Sequence, residues 1–480
     1  MPSSIILSEF TPSADRMPAL LARFQADWES LRKLFDVPNS LQRRERLRAF
    51  YAQWQEALET LPFPKLTRSD QADAILFADL LKRERRRLDE EEARLAEMEP
   101  LLPFACDLTA LEEARRRRED MDAAGIAERL DGAARQVEEI RKSLEAQKEA
   151  GEDLPKPAVA NRAAQGLDSL LKTLEKWHGF YDGYDPLFTW WVERPYRALE
   201  TALKEYAAFL RKELAGAEDK DAIIGDPVGR EVIEAELADA FLAYSPEELI
   251  ALAEREMEWC REQMRAAARE MGLGDDWRAA VEKVKALHVP PGAQPALVRD
   301  LALEAIRYVQ DNDLLTVPPL AAECWRMEML SPERQKVSPF FLGGETIMVS
   351  YPTQSMEHAQ KQMSLRGNNR HFSRATVQHE LIPGHRMQAF FQERSRPYRR
   401  IFYTPFWTEG WTLYWEMLLW DRGFAQSPED RIGMLFWRTH RCARVVFSLR
   451  FHLEQMTARE CVELLVNEVG HEPDNAEAEV

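Results

Sequence analysis

The run Gln378-His379-Glu380-Leu381-Ile382-Pro383-Gly384-His385-Arg386, followed by Glu409-Gly410-Trp411, is the most informative part of the chain. A single histidine is more often a satisfied polar residue than a metal ligand. Here two imidazoles accompany a carboxylate beside the first and another further along, which is the donor set of a catalytic zinc site. The pattern is typical of a metallohydrolase in which His379, His385 and Glu409 bind Zn²⁺.

The two histidines lie six residues apart, a spacing that does not fit one continuous helix. Six residues turn an α-helix through roughly 600°, which leaves the second side chain about 120° from the first. Proline disrupts a helix, and glycine tolerates conformations that other residues avoid. We therefore expect a kink or loop at Pro383-Gly384 that brings His385 back beside His379. Glu380 should then point toward a metal-bound water as the general base.

The third ligand lies in an aromatic-rich run from Phe406 to Glu416, which we expect to be buried. An ionised Glu409 in such surroundings is costly unless it is paired or bound to a cation. Glu416 lies two turns further along the same helix face. It could compete for the ligand role, or it could orient a histidine from outside the coordination sphere. We favour Glu409 as the ligand.

The segment from His379 to Gln388 and the Glu409-Gly410-Trp411 element resemble a large bacterial family, domain of unknown function 885 (DUF885), which is similar to gluzincin-type zinc peptidases. The likeness extends to Gly344–Pro352, Asn368–Arg374 and Arg444–His452. The resemblance implies a mostly helical, zincin-like fold, zinc ligands matching His379, His385 and Glu409, and a base matching Glu380. Family members usually continue beyond the point where this sequence stops, with a segment containing proline, glutamine and tyrosine.

Further polar residues are candidates for stabilising the reaction. An anionic tetrahedral intermediate needs a hydrogen-bond donor beyond the metal, and a free peptide carboxylate favours arginine. His440 and Arg444 stand four residues apart and should share a helix face. Tyr351 and His371 are also candidates, although each of the four residues taken alone is more often structural than catalytic.

The reaction that these residues indicate is metal-assisted hydrolysis of a peptide bond. Zinc would polarise the scissile carbonyl, and Glu380 would carry a proton from water to the leaving amine. The sequence leaves open whether the enzyme is a carboxypeptidase, a dipeptidase or an oligopeptidase. Two alternatives also stay open: a non-peptide amide or ester hydrolase, and an inactive helical interaction protein with a structural metal.

Composition limits the partners and the compartment. The 480 residues carry a net charge of −18 and no dense basic block, which argues against nucleic acid as a partner. Five scattered cysteines argue against a disulfide framework and against a cysteine-bound metal. Met1–Phe10 lacks a basic start with a long apolar stretch, and no run approaches the ~18 apolar residues that span a bilayer. We expect a cytoplasmic protein with no membrane partner.

Helical patterns dominate the chain, so the expected fold class is mainly α, a zincin-like helical metallopeptidase. The charged stretch Ser69–Ala150, interrupted at Pro100 and Pro103, predicts a long helical hairpin, either solvated or forming a homodimer. Gly216–Asp226 predicts a boundary between an N-terminal helical region, residues 1–220, and a catalytic region, residues 221–480. Glu345–Tyr351 predicts a strand of a small β-sheet lining the active-site cleft. Its edge could pair with an extended peptide.

Overall fold

Helices make up most of the chain, which confirms the expected fold class at the level of mainly α. The computed structural model describes residues 16–217, 223–335, 343–344 and 346–480. The chain divides into two compact units, Met1–Asp226 and Pro227–Val480. The boundary expected after residue 220 falls in 218–222, and Met1–Phe10 falls in 1–15, both outside the described residues.

The first unit is an assembly of long helices. Its elements are α1 (Met17–Leu34), α2 (Leu41–Glu59), α3 (Arg68–Met98), α4 (Ala105–Arg117), α5 (Ala123–Ala150), α6 (Pro157–Tyr181) and α7 (Pro186–Phe209), with 3₁₀ and π turns at Phe63–Lys65 and Leu210–Leu214. Leu167, Trp177 and Tyr206 are almost fully buried in the apolar cluster that joins the end of α3 to α7. Asp185 caps α7 by accepting backbone hydrogen bonds, and proline follows it at the first helical position.

The charged stretch from Ser69 to Ala150 does not form the expected helical hairpin. It contains α4 as well as α3 and α5, and Arg118 ends α4 in a left-handed conformation with a φ of 61°. The principal neighbour of α5 is α7, whereas α3 packs against α2. The prediction was wrong because α4 buries Leu108 and Leu111 in the core. The apolar stripe of α4 is short and is flanked by many charged residues, so the sequence pattern does not indicate a separate buried helix.

The second unit carries the histidine motif. Its elements are α8 (Arg230–Asp239), α9 (Pro246–Glu270), α10 (Trp277–Lys285), α11 (Gln294–Asp311), α12 (Pro319–Glu323), β1 (Arg326–Met329), α13 (Pro332–Gln335), β2 (Thr346–Val349), α14 (His358–Gly367), α15 (Arg370–Glu380), α16 (His385–Arg394), α17 (Pro405–Asp421), α18 (Pro428–His452), α19 (Ala458–Leu464) and α20 (Pro473–Glu479). A 3₁₀ turn spans Pro397–Phe402, and a π turn spans Leu465–Val469.

A small sheet packs behind the helix that carries His379. β1 and β2 run parallel, with Arg326 opposite Thr346 and Met329 opposite Val349. The predicted strand Glu345–Tyr351 is observed as β2, and Glu345 itself lies outside the described residues. Ile347 and Val349 of β2 are buried against Val377 and Leu381. The sheet therefore supports the end of α15 from one side.

Ion pairs and a close helix crossing hold α15 in place. His371 Nδ1 lies 2.7 Å from Asp430 of α18, and Arg374 lies 3.1 Å from the same carboxylate. Arg374 also reaches Glu304 of α11 at 2.6 Å. A Cβ on Gly433 would overlap the carbonyl of His371, so α18 can approach α15 this closely only at a glycine. His371, a candidate donor in the sequence, thus anchors the helix that carries the motif.

All five cysteines are free thiols. Among the described residues, no helix is both long enough and apolar enough to cross a membrane.

Candidate metal centre

The predicted break between the two histidines is present. α15 ends at Glu380, and α16 begins at His385 after a four-residue turn that contains a cis Ile382–Pro383 peptide bond. Gly384 has a φ of −76° and a ψ of −136°, a combination outside the main helical and extended regions. A Cβ there would also overlap the carbonyl of His379. The missing side chain lets α16 begin directly against the end of α15.

Side chains of His379, His385 and Glu409 converge on one point. One ligand atom from each lies within 4.8 Å of the others. Glu409 spans both imidazoles, with Oε2 3.6 Å from His379 Nε2 and Oε1 3.5 Å from His385 Nε2. Two ligands held about 2.0–2.2 Å from a tetrahedral ion are separated by about 3.3–3.6 Å. The donor set and its spacing therefore fit a divalent cation such as zinc.

The other nitrogen of His379 faces a second carboxylate. His379 Nδ1 lies 2.5 Å from Glu416 Oε1, and Arg441 Nη2 donates to the same oxygen at 2.9 Å. A carboxylate on the non-ligating nitrogen fixes the tautomer and the ring orientation of a metal-binding histidine. The two glutamates that the sequence offered as the third ligand therefore contact different nitrogens of His379. Glu409 faces Nε2, and Glu416 faces Nδ1.

The charges around His379 keep both carboxylates ionised. Burial and Arg441 lower the pKa of His379, but its contacts with the carboxylates of Glu409 and Glu416 outweigh them and raise it to about 9. Contacts with His379 and His385 hold the pKa of Glu409 well below its usual range. Burial alone would raise the pKa of Glu416, yet Arg441 and His379 lower it to about 2. Both carboxylates are therefore ionised at neutral pH, and a bound cation would displace the proton of His379.

Glu380 lies beside the candidate ligands in a tightly enclosed position. Its exposed fraction is 9%, and a Cβ on Gly343 would overlap its carboxylate. Burial raises the pKa of Glu380, and the nearby charges of His379, His385 and Arg441 offset part of the rise. A raised carboxylate pKa suits a group that must accept and return a proton near neutral pH.

α17 positions Glu409 through contacts with the turn after α15. Trp411 Nε1 donates to the carbonyl of Pro383 at 3.0 Å, so the tryptophan of the Glu-Gly-Trp element ties α17 to the turn. Gln388 Nε2 of α16 donates to the carbonyl of Trp407 at 3.3 Å. These bonds fix Glu409 relative to the two histidines.

The expectation that the Phe406–Glu416 run is buried was wrong. Phe406, Trp407 and Tyr414 are more than half exposed, and the side chain of Glu409 is 59% exposed. Only one face of α17 points inward, formed by Thr412, Trp415, Glu416 and Leu419. The buried ionised carboxylate of α17 is therefore that of Glu416, and its hydrogen bond from Arg441 offsets the free-energy cost of burial.

The remaining predicted site residues make contacts elsewhere in the unit. His440 Nδ1 lies 2.9 Å from His471 Nε2, and Arg444 pairs with Glu479 of α20. Tyr351 packs against the apolar cluster that contains β2. Among the described contacts, no hydrogen bond or ion pair joins His440, Arg444 or Tyr351 to the three candidate ligands. Their catalytic roles stay predictions without geometric support.

Arg441 is the residue of this centre that the sequence did not reveal. It follows His440 on α18, and one residue turns a helix by about 100°, which points the two side chains in different directions. Most of the circumference of α18 is buried, so hydrophobic periodicity does not single out the face that meets His379. Nothing local in the sequence distinguishes Arg441 from the other arginines of this helix.

We expect Arg441→Met to lower the free energy of unfolding by about 2 kcal/mol, because Glu416 loses a charged hydrogen-bond partner and only His379 remains to offset its burial. Urea unfolding of the metal-free chain measures the loss. The double variant Arg441→Met/Glu416→Gln should recover part of it, since the buried charge is gone. Arg438→Met is the control, because Arg438 lies on the same helix as Arg441 and pairs with the less buried Glu256 of α9. Equal losses in the single and double variants would contradict this account.

The buried pair His440 and His471 predicts a loss of stability in acid. Burial lowers the pKa of His471 to about 3 and that of His440 well below its ordinary value. The unfolded chain binds protons below about pH 6.5, whereas the folded chain leaves these imidazoles neutral. Stability therefore falls as the pH drops below about 6.5, by at most about 1.4 kcal/mol per pH unit for each histidine.

Thermal unfolding at pH 7 and pH 5 measures this dependence. The drop in Tm should be smaller for His471→Gln than for the wild type, because one uncharged buried imidazole has been removed. His358→Gln is the control, since His358 is exposed at the start of α14. Identical drops in all three proteins would show that the pair does not cause the acid sensitivity.

Comparison with known proteins identifies a family and a fold. The family described as "Bacterial protein of unknown function (DUF885)" matches residues 32–480. A solved structure described as "a putative lipoprotein of unknown function from Shewanella oneidensis" is 16% identical, with a TM-score of 0.67. "The putative lipoprotein from Colwellia psychrerythraea" is 14% identical, with a TM-score of 0.57. Each comparison covers 98% of this chain and 88% of the other, and at these identities it concerns the fold alone. None of the curated proteins compared with the chain matches it.

Proposed function

The chain belongs to the bacterial family of unknown function DUF885, and we propose that it is a zinc-dependent peptide hydrolase with a zincin-like centre. The observation that carries this proposal is the convergence of His379, His385 and Glu409 within 4.8 Å, with Glu380 beside them. Two imidazoles, one carboxylate and an adjacent acid are the parts of catalytic zinc sites that activate water.

Each residue of the centre has a separate task. The Nε2 atoms of His379 and His385 and the carboxylate of Glu409 would hold the ion. When bound, the ion supplies Lewis acidity, which polarises a carbonyl and lowers the pKa of water. Glu416 holds His379 in the tautomer whose Nε2 lone pair is available, and Arg441 keeps Glu416 ionised.

Glu380 carries the proton that hydrolysis has to move. It accepts the proton from the water that adds to the scissile carbonyl carbon. It then gives that proton to the amine nitrogen as the carbon–nitrogen bond breaks. The enclosure of Glu380 supports this role, because burial favours the protonated form that the second step requires.

The second unit offers features that suit a peptide substrate. Exposed Phe406 and Trp407 on α17 lie within one helical turn of Glu409 and could contact apolar side chains. The small sheet beside α15 could pair with an extended chain through backbone hydrogen bonds. Arg444 gives no support for recognition of a free carboxylate, because it is paired with Glu479. The choice between exopeptidase and endopeptidase therefore stays open.

A metal analysis combined with a cleavage assay tests the proposal. The purified chain is analysed for bound elements, and metal-free and zinc-loaded samples are incubated with a peptide mixture followed by mass spectrometry. We expect cleavage that requires zinc and stops when a chelator is added. A chain that binds zinc at these residues but cleaves nothing would favour the interaction protein with a structural metal. A chain that binds no zinc would overturn the proposal.

We also propose a cytoplasmic location, which rests on the scattered free cysteines. The two structures of similar fold are described as lipoproteins, so an exported form is the competing outcome. Fractionation of cells that express the chain distinguishes them. Recovery in the membrane or the periplasm would overturn the cytoplasmic assignment.

A further inference from the structure

A second group of metal-ligand side chains lies in the first unit, at the turn between α6 and α7. His178 and Asp182 are four residues apart at the end of α6, and Glu193 lies about two turns into α7 from its start at Pro186. One ligand atom from each of the three lies within 4.8 Å of the others. The proposed hydrolytic centre uses none of these residues.

Two buried atoms in this group lack hydrogen-bond partners. His178 is 5% exposed, and its Nε2 lies 3.3 Å from Glu193 Oε2. Neither atom forms a hydrogen bond with the described residues, although they are close, because the contact does not have hydrogen-bond geometry. Polar atoms buried without partners cost free energy, so such a pair needs an explanation.

The distance between these two atoms fits a shared cation. Ligand atoms about 2.0–2.1 Å from a tetrahedral ion are about 3.3 Å apart. The separation between His178 and Glu193 is 3.3 Å, close to the 3.5 and 3.6 Å between Glu409 and its two histidines. One ion would satisfy the nitrogen lone pair and the carboxylate oxygen together.

The surrounding side chains hold this group ready for a cation. The ring of His178 stacks on Tyr196, with centroids 3.9 Å apart and planes 12° apart, which fixes its orientation. Thr189 Oγ1 donates to Asp182 Oδ1 at 3.0 Å. Arg197 Nε binds Glu193 Oε1 at 3.1 Å, which leaves Oε2 directed toward His178. Contacts of this kind orient the ligands of metal sites.

A simple ion pair explains the contact less well. In an ion pair with a hydrogen bond, the imidazole proton would point at the carboxylate oxygen, and the 3.3 Å contact between His178 Nε2 and Glu193 Oε2 lacks that geometry. A shared cation needs no such alignment, because it lies off the line that joins its two ligand atoms.

We propose that His178, Asp182 and Glu193 form a second binding site, for a divalent transition-metal ion of the zinc type. Mixed nitrogen and oxygen donors suit zinc and its neighbours in the first transition series. The ion would link the end of α6 to α7 and so hold together the two helices on either side of the turn between them. Its effect is structural, because binding to the folded state alone raises stability.

Zinc titration of the metal-free, full-length chain tests this site by counting the ions bound per chain after excess metal is removed. We expect two ions for the wild type and one for Glu193→Gln. Glu200→Gln is the matched control, because Glu200 also lies on α7 and pairs with Arg197 and Lys204. Glu200→Gln should bind two ions. A Glu193→Gln chain that binds as many ions as the wild type would overturn the proposal.

Glu409→Gln separates this site from the proposed hydrolytic centre. In that background, Zn²⁺ should still raise the Tm, and adding Glu193→Gln should remove this increase. An increase that survives the double substitution would overturn the site in the first unit. If Glu409→Gln binds as many ions as the wild type and Glu193→Gln binds one fewer, the hydrolytic centre fails and the second site stands.

Discussion

Replacement of Glu380 by glutamine should reduce peptide hydrolysis by about 10²–10⁴-fold while the chain keeps the zinc held by His379, His385 and Glu409. Glutamine has nearly the same shape as glutamate but cannot accept the proton from the attacking water. Among the described ion pairs, Glu409 and not Glu380 faces Nε2 of the two histidines, so the substitution leaves the proposed ligand set intact. The measurement is kcat for a peptide cleaved by the wild type, together with zinc content by elemental analysis.

The control for this variant is Glu393→Gln. Glu393 lies exposed on α16 and pairs with its neighbour Arg394, so its loss should change neither kcat nor zinc content. Two outcomes would contradict the assignment of Glu380 as the base. One is wild-type turnover in Glu380→Gln, and the other is loss of zinc from that variant, which would make Glu380 a ligand.

Glu409→Gln should weaken zinc binding at the hydrolytic centre by more than about 100-fold and stop hydrolysis with it. Removal of a residue that only orients a ligand costs about 10- to 100-fold in metal affinity, so removal of a ligand should cost more. Glu409 is the carboxylate that faces Nε2 of both histidines. Competition with a zinc chelator of known affinity measures the change.

Glu416→Gln is the natural comparison, because Glu416 touches the other nitrogen of His379. It should weaken zinc binding by about 10- to 100-fold, since the ligand remains but its orientation and basicity are less well fixed. The ranking of the two variants decides between the roles that the sequence left open. A larger loss for Glu416→Gln than for Glu409→Gln would reverse the assignment.

Much of the candidate centre could be predicted because its information is local. The His-Glu pair, the Pro-Gly break and the second histidine lie within seven consecutive residues, and the structure shows the helix break where the sequence predicts it. The helix start at Ser245 also follows local chemistry, since Ser245 and Glu248 form a reciprocal capping box. Membership of the DUF885 family, first indicated by these residues, is confirmed over residues 32–480.

Other features of the fold and the site could not be predicted, because they depend on which helices and side chains pack against one another. The main packing partner of α5 is α7 and not α3. The charge patterns of these helices are similar and fit several pairings, so the pairing is decided by which apolar faces pack together in the core. Gly384 is required by the nearby carbonyl of His379, a contact that no backbone preference reveals. The aromatic run on α17 is half exposed, because a surface helix can carry aromatic side chains on its outer face.

The sequence by itself determined the candidate donor set, the proximity of His379 and His385, and the mainly helical class, because each follows from residue type and short spacing. Only the tertiary structure decided that Glu409 faces Nε2 of His379 while Glu416 faces Nδ1, and that Arg441 supports Glu416. Those choices depend on how α17 and α18 pack on α15. Packing angles and distances are set by contacts between residues far apart in the chain, so short-range patterns do not encode them.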